Sequence, residues 1–360
     1  MLTAIIFIIV LGVLVFVHEF GHFIFAKRAG MKVEEFGLGF PPRIWGIKKG
    51  ETLYSLNAIP FGGFVKILGE DGDQRDNPRS FSSKTIGSRL LVIVAGVTMN
   101  FFLAVFLLMI TNFFGLRIGL IDEKTASIAR NKAVQIIEIS KDSPANNVGL
   151  KLLDEVVGFK HNSSLKTVSS AEDVQDFVRE NSGQSLTVVI KRNKEILEKE
   201  IIPRVNPPAG QGALGVSLAL TGVVSYPWHE AIWRGVYDAV ILTINTVIGY
   251  FMLFKTLLLK GKLIADVSGP VGIATITGQA ARMGTNYLMQ FVALISINLA
   301  VLNIIPFPAL DGGRAMLIII EKIKGSPINK RAEQLVNTVG FALLIALMLY
   351  VTTKDIIRFF

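Results

Sequence analysis

The sequence contains no cysteine, which excludes disulfide bonds, iron–sulfur clusters and thiolate zinc sites. Charged residues are also scarce, at 18% of the 360 residues, whereas an ordinary soluble domain has about 25%. Hydrophobic residues make up 51%. The chain is therefore too apolar for a fully soluble protein and too charged for a simple bundle of membrane spans. This balance predicts membrane segments together with a polar domain.

The net charge of +9 is compatible with two kinds of partner. It could indicate nucleic acid, but no RNA- or DNA-binding motif is present. In a membrane protein such an excess is typical of cytoplasmic loops rich in Lys and Arg. We therefore expect a lipid bilayer, and no nucleic acid, as the surroundings of this chain.

Four long apolar stretches are candidates for membrane spans, since a helix of about 20 residues crosses the hydrocarbon core. They predict an α-helical polytopic membrane protein with about four transmembrane helices. The opening stretch has no positive residues before it and is too long for a secretory signal, so we interpret it as a retained span. The four stretches cover residues 2–26, 90–114, 288–310 and 335–352.

Two polar segments lie between the apolar stretches. Residues 27–89 carry alternating runs at 52–56 and 63–67 around Gly and Pro turn signals, which predict short strands. In residues 117–220, charged residues return, and short β-like runs surround one helical stretch at 171–181. This pattern predicts one small α+β domain. Its predicted strands cover residues 134–139, 155–159, 186–191 and 196–202.

The ionisable residues inside the predicted spans give the strongest indication of function. Each costs roughly 2.5–3.5 kcal/mol on insertion and therefore needs a reason. His18, Glu19 and His22 form an HExxH sequence near the end of the first span. Residues i and i+4 share one helix face, so both histidines can bind one metal ion, with Glu19 beside them as a general base. In a soluble sequence a solvated helix face would be the better interpretation of this motif.

Zinc requires a third protein ligand and an open position for water. The other two histidines, His161 and His229, lie in or just after the polar domain, so a carboxylate is expected. Glu34 and Glu35 are near in sequence but lie beyond the span. We favour Asp311, which stands at membrane depth after a helix broken by proline, over its alternative role as a helix cap.

Charge in the loops predicts the topology. Lys and Arg follow the first span and recur before the last one, which places both loops in the cytoplasm and the polar domain outside. The HExxH site and Asp311 then share a depth near the cytoplasmic side only if residues 230–259 do not cross the membrane once. We therefore predict an interfacial or re-entrant helix there.

The chain resembles the site-2 protease family, and within it the regulator-of-sigma-E (RseP-like) proteases. The resemblance covers essentially the whole chain, and Val97, where the family usually has proline, is a small departure. Its motifs are HEFGH at residues 18–22, PFGGFVK at 60–66, AGVTMNF at 95–101, SGPVG at 268–272 and NIIPFPALDGG at 303–313.

The resemblance implies further roles around the metal. Asn298 and Asn303 are expected to contact or position substrate, with hydrogen bonding between helices as the alternative. Pro306 and Pro308 are expected to shape the helix that ends there. Residues 31–68 are expected to form a membrane-associated β-sheet whose edge holds the substrate as an extended strand.

The polar domain resembles a PDZ domain, and the chain has room for one. Leu214, Gly215 and Val216 resemble the loop of that family whose backbone N–H groups face a peptide carboxylate, although a plain turn explains this short match equally well. The expected domains are residues 1–116 with the first two spans, the PDZ domain at 117–220, the post-PDZ helices at 221–284 and the last two spans at 285–360.

Together these features predict a bacterial inner-membrane zinc endopeptidase. His18, His22 and Asp311 would hold one Zn²⁺, and Glu19 would move the proton of a zinc-activated water. The expected substrates are single-pass membrane proteins after a first extracytoplasmic cut by a site-1 protease. The resemblance implies anti-sigma factors or signal-peptide remnants among them. The alternatives are a pro-sigma-factor processor, a catalytically silent PDZ scaffold and, more weakly, a zinc transporter.

Overall fold

A computed structural model describes residues 2–70, 72, 74–161, 164–192, 195–208, 210–260, 269–326 and 328–359. The chain divides into two units, of which the first comprises Met1–Thr111 with His229–Phe360 and the second comprises Asn112–Trp228. The predicted domain at 117–220 lies within the second unit. Ser268, the first residue of the SGPVG motif, lies outside the described residues.

The first unit is mainly helical. Its helices are α1 (Leu2–Arg28), the first part of α2 (Ile86–Phe114), and, after three short helices of the second unit, α6 (Trp228–Lys260), α7 (Pro270–Met283), α8 (Thr285–Ile304), α9 (Asp311–Lys324) and α10 (Lys330–Phe359). Among the described residues, five of these helices are long and apolar enough to cross a membrane, namely α1, α2, α6, α8 and α10. The prediction was about four, and the difference is α6.

Helix α6 is continuous from Trp228 to Lys260. Large apolar side chains are exposed along much of its length, including Trp233, Val240 and Phe251. A helix at the membrane surface normally keeps one polar face, so this apolar surface suits the bilayer interior. The interfacial or re-entrant arrangement expected for residues 230–259 stays a prediction.

The predicted membrane-associated sheet is formed by β1 (Val33–Lys49) and β2 (Thr52–Ile67). Both strands bend, because residues 33–38 of β1 pair with residues 53–56 of β2 and also with residues 63–67. Residues 43–49 pair with residues 52–57. The hairpin thus behaves as four short segments, and residues 63–67 form the last one.

The second unit contains a seven-stranded sheet and three short helices. The helices are α3 (Glu123–Ile128), α4 (Pro144–Asn147) and α5 (Ala171–Glu180), and the strands are β3 (Leu116–Gly119), β4 (Arg130–Ile139), β5 (Glu155–His161), β6 (Ser164–Thr167), β7 (Leu186–Arg192), β8 (Glu195–Ile201) and β9 (Val216–Val224). The strand order is β3-β9-β4-β5-β7-β8, with β6 beside β5. The four strands and the helix predicted here are therefore confirmed.

Apolar contacts hold the site-bearing helices together. One cluster joins the end of α1, the hairpin, the start of α2 and α9, with Ala26, Phe36, Val92 and Ile318 among its members. Another joins α2, α6 and α8. Arg89 of α2 adds a largely buried ion pair to Glu321 of α9, with nitrogen–oxygen distances of 3.0 and 3.2 Å. Helix α9 is thereby fixed against α2.

Candidate metal centre

Three predicted ligands from two distant parts of the chain meet in the first unit. The Nε2 atoms of His18 and His22 lie 3.2 Å apart. Asp311 Oδ2 lies 3.0 Å from Nε2 of His18 and 3.4 Å from Nε2 of His22. Among the described residues this is the one group of three or more His, Asp or Glu side chains whose ligand atoms cluster closely.

Local backbone structure explains how the ligands reach one point. His18 and His22 lie one turn apart on α1, so their rings project from the same face. Asp311 opens α9 directly after the irregular residues 305–310. The following Gly312 and Gly313 touch the backbone carbonyls of Ile304 and Phe307, where a Cβ atom would not fit. The glycine pair therefore lets α9 begin directly beneath the end of α8.

The donor set suits a zinc ion. The Nδ1 atom of His22 lies 2.9 Å from the backbone carbonyl of Val92, a contact that requires its proton there and leaves a lone pair on Nε2. Asp311 Oδ2 is buried, and the polar atoms next to it are the Nε2 atoms of the two histidines. With zinc–ligand bonds of about 2.0–2.2 Å in a tetrahedron, neighbouring ligand atoms lie about 3.3–3.6 Å apart. The observed separations of 3.0–3.4 Å are close to these values.

Glu19 lies beside this group. A cavity of about 470 Å³ is lined by Glu19, His22 and Asp311 together with residues 63–67 of β2. Arg314, one turn after Asp311, also lines the cavity and forms an ion pair with Glu70. Two features therefore meet the candidate metal centre at this cavity. One is the carboxylate of Glu19, which can move protons, and the other is the last segment of the hairpin.

The alternative carboxylates are engaged elsewhere. Glu34 pairs with Lys66 at 3.2 Å, and Glu35 accepts a hydrogen bond from Ser55 at 2.6 Å. Neither belongs to the three-residue group. The N-cap position of α9 is occupied by Leu310 and Asp311 is already the first helical residue, which disfavours the capping role. The geometry thus favours Asp311 among the carboxylates considered.

Among the described residues that line the cavity beside Glu19, none is one of the four residues expected to bind substrate. Asn298 accepts a hydrogen bond from the hydroxyl of Tyr250 at 3.0 Å and donates to the carbonyl of Leu294. This is the interhelical bonding considered as its alternative role. Asn303 and Pro306 lie at and just after the end of α8, and Pro308 packs against Gly340 of α10.

The predicted peptide-binding residues lie beside a groove in the second unit. Leu214 and Val216 line a cavity of about 720 Å³, which α5 and β9 also border. Gly215 has a φ of 72° and donates its N–H to the carbonyl of Gly212 at 2.9 Å. That N–H is therefore used within the loop.

Sequence reasoning assigned no role to two residues of the AGVTMNF motif that touch the histidines. Gly96 lies against the rings of His18 and His22, where a Cβ atom would collide with both. Asn100 is 1% exposed, and its Nδ2 lies 3.3 Å from Nδ1 of His18. The sequence signal that could have identified them is the AGVTMNF motif itself, which places a polar residue, Asn100, inside an apolar span.

Comparison with known proteins identifies the family. The model of Peptidase family M50 matches residues 6–347. A protein of Clostridium perfringens named as a putative zinc metalloprotease is 39% identical, covering 96% of this chain and 95% of that protein. The zinc metalloprotease RasP of Oceanobacillus iheyensis is 31% identical over the full length of both chains. The regulator of sigma-W protease RasP of Bacillus subtilis is 30% identical over 99% of each chain.

The chain therefore belongs to peptidase family M50, the site-2 protease family. This confirms the predicted enzyme class, a zinc metalloprotease, and its cofactor, Zn²⁺. With its apolar helices, the chain is an integral membrane protein.

Proposed function

We propose that this protein is an intramembrane endopeptidase whose zinc is held by His18, His22 and Asp311. The observation that carries the proposal is the convergence of three acceptor atoms between apolar helices, within 4.8 Å of one another. Three acceptors this close repel one another unless a cation or a proton lies between them. Burying such a group at membrane depth is costly, and metal binding explains why it is there.

The chemistry divides between the metal and the chain. When bound, zinc supplies Lewis acidity for the scissile carbonyl and lowers the pKa of a coordinated water towards about 7. Glu19 takes the proton of the attacking water and later delivers it to the leaving amine. The cavity of about 470 Å³ admits water and a segment of substrate to this carboxylate.

Residues 63–67 of β2 are proposed to present the substrate. They pair with residues 33–38 on one side and line the cavity with Glu19 and Asp311. A helical peptide bond is hydrogen-bonded and poorly exposed to attack, whereas an extended strand offers its carbonyl. A single-pass substrate that adds here as a strand would place that carbonyl at the site.

The second unit is proposed to be a PDZ domain that selects substrates outside the cell. The groove between α5 and β9 lies beside Leu214 and Val216, and its volume of about 720 Å³ suits an extended peptide. It would recognise the new C-terminus left by a site-1 protease, or exclude substrates that have not been cut. We place the protein in the bacterial inner membrane, with the metal centre near the cytoplasmic side. Its substrates would be anti-sigma factors or signal-peptide remnants.

The test compares wild type, Glu19→Gln and Asp311→Ala for zinc content and for cleavage of a single-pass substrate in detergent. We expect about one zinc and cleavage in wild type, zinc without cleavage in Glu19→Gln, and neither in Asp311→Ala. If Asp311→Ala retains its zinc and activity, the third ligand lies elsewhere. Full cleavage activity in Glu19→Gln would show that Glu19 is not the general base. A cellular function that survives in Glu19→Gln without cleavage would support the scaffold alternative.

A further inference from the structure

Asn100 is a polar side chain buried in the middle of α2, at 1% exposure. Its Nδ2 lies 3.3 Å from Nδ1 of His18. Its Oδ1 is also buried and has no hydrogen-bond partner. An unpaired buried acceptor is destabilising. The orphan oxygen therefore indicates that this side chain has a second arrangement.

The ring of His18 explains what that arrangement is. If Nε2 of His18 is to bind a metal ion, it must offer a lone pair, so the proton of the neutral ring must sit on Nδ1. An N–H at Nδ1 requires an acceptor. His22 already has one, because its Nδ1 faces the carbonyl of Val92 at 2.9 Å. The group in the corresponding position for His18 is the side-chain amide of Asn100.

The amide of Asn100 can present either of its two ends to His18. With Nδ2 facing Nδ1, both the amide and a protonated Nδ1 would be donors, so the ring proton belongs on Nε2, directed at Asp311 Oδ2 at 3.0 Å. A half-turn of the amide brings Oδ1 to Nδ1 instead. Oδ1 is then paired, Nδ2 takes the position that Oδ1 held, and the lone pair of Nε2 faces the metal position.

We propose that Asn100 is a positioning residue of the metal centre, whose Oδ1 accepts the Nδ1 proton of His18 and so fixes Nε2 as a ligand. The inference rests on the proposed role of His18 as a zinc ligand. Such partners of metal-binding histidines orient the ring, and their loss typically weakens metal affinity or activity by 10- to 100-fold.

A purely structural role predicts different behaviour. The hydrogen bond that joins Asn100 to α8 runs from the hydroxyl of Ser296 to the backbone carbonyl of Asn100, at 2.8 Å. Every residue has that carbonyl, so substitution of the side chain leaves the bond between the helices intact. A change in metal affinity would therefore report on the contact with His18.

The experiment measures zinc affinity of the purified full-length protein by competition with a chelator. Asn100→Ala removes the acceptor and should weaken zinc binding by about 10- to 100-fold. Asn100→Asp keeps the shape and can only accept, so it should bind zinc at least as tightly as wild type. Thr98→Ala, which removes an exposed hydroxyl bonded within the same helix, should leave the affinity unchanged. The visible spectrum of the cobalt-substituted protein should change in Asn100→Ala and persist in Asn100→Asp.

Several results would overturn the assignment. Wild-type affinity in Asn100→Ala would show that the acceptor is not needed. A tenfold or greater loss of zinc affinity in Asn100→Asp would by itself overturn the assignment, even if Asn100→Ala did not fold. His18→Ala separates the two proposals. If it loses zinc while Asn100→Ala keeps it, only the role of Asn100 falls; if His18→Ala keeps zinc, the metal centre itself is wrong.

Discussion

Gly96 lies where a single added carbon atom would disturb the proposed metal centre. It lies in the interior of α2 against the rings of His18 and His22, and a Cβ atom there would lie 2.9 Å from Cε1 of His18 and closer still to His22. Real Cβ atoms do not approach other atoms so closely, so one ring would have to move. The two histidines are also held by the carbonyl of Val92, on the same helix as Gly96, and by Asp311.

We therefore predict that Gly96→Ala reduces zinc affinity by at least tenfold and abolishes most cleavage, although alanine favours helix formation by about 0.5–1 kcal/mol. The matched control is Gly87→Ala on the same helix, where an added Cβ meets no atom within 4 Å. Chelator competition and substrate cleavage measure both variants. Equal zinc affinity in the two would show that the histidine rings do not depend on close contact with α2.

At the scale of the element, some features were visible in the sequence and others were not. The HExxH spacing predicted the shared face of α1, and alternation predicted β4, β5, β7 and β8. The bending of β1 and β2 into four paired segments was not predicted, because register between non-adjacent segments leaves no periodic signal. The ion pairs of Arg89 with Glu321 and of Arg314 with Glu70 join residues more than 230 positions apart, and composition alone cannot pair them.

Helix α5, which borders the groove of the second unit, begins with a reciprocal cap. Ser170 accepts from the N–H of Asp173 at 3.0 Å, and Asp173 accepts from the backbone N–H of Ser169 and of Ser170. These bonds, together with the hydroxyl of Ser169, lower the pKa of Asp173 from 3.8 to about 2. Since the folded pKa is lowered, the stabilisation is present above pH 3.8 and disappears as the pH falls towards 2.

Asp173→Asn should therefore reduce amide-exchange protection of α5 in the full-length protein near pH 6, and the difference from wild type should shrink below about pH 4. Asp176→Asn is the control, because Asp176 is exposed on the same helix and pairs with Arg179 outside the cap. Comparing each variant with wild type at the same pH cancels the intrinsic pH dependence of exchange. A difference that persists unchanged at pH 2.5 would mean that the charge of Asp173 does not support the helix.

At the scale of the whole molecule, contacts in the first unit constrain how the chain crosses the membrane. His18 and Asp311 share one depth because they touch. From that depth α1 leads back to Thr3, which lies against Gly278 of α7. Helix α8 leads back from Ile304 to its start, directly after α7. The start of α8 therefore lies near the N-terminal end of α1.

The second helix reaches the same face. Gly21 of α1 touches Ala95 of α2, and Val10 and Leu14 belong to a cluster that Leu103 and Leu107 of α2 join. The two helices are thus antiparallel, and α2 ends at the face where α1 begins. Since the chain leaves α2 and re-enters α8 at one face, we predict that residues 228–284 make an even number of crossings or none. The interfacial or re-entrant helix expected at residues 230–259 stays a prediction, because α6 is also long enough to span.

Because the chain has no cysteine, single-cysteine variants can test this topology without a background signal. We predict that Glu195→Cys and Thr285→Cys react with a membrane-impermeant maleimide in intact cells, and that Lys49→Cys and Lys324→Cys react only after lysis. All four side chains are exposed. If Thr285→Cys reacts together with Lys49→Cys, residues 228–284 cross an odd number of times, and α6 is a full span. If all four variants label from the opposite side, residues 228–284 still cross an even number of times or not at all. The excess of Lys and Arg would then not set the orientation.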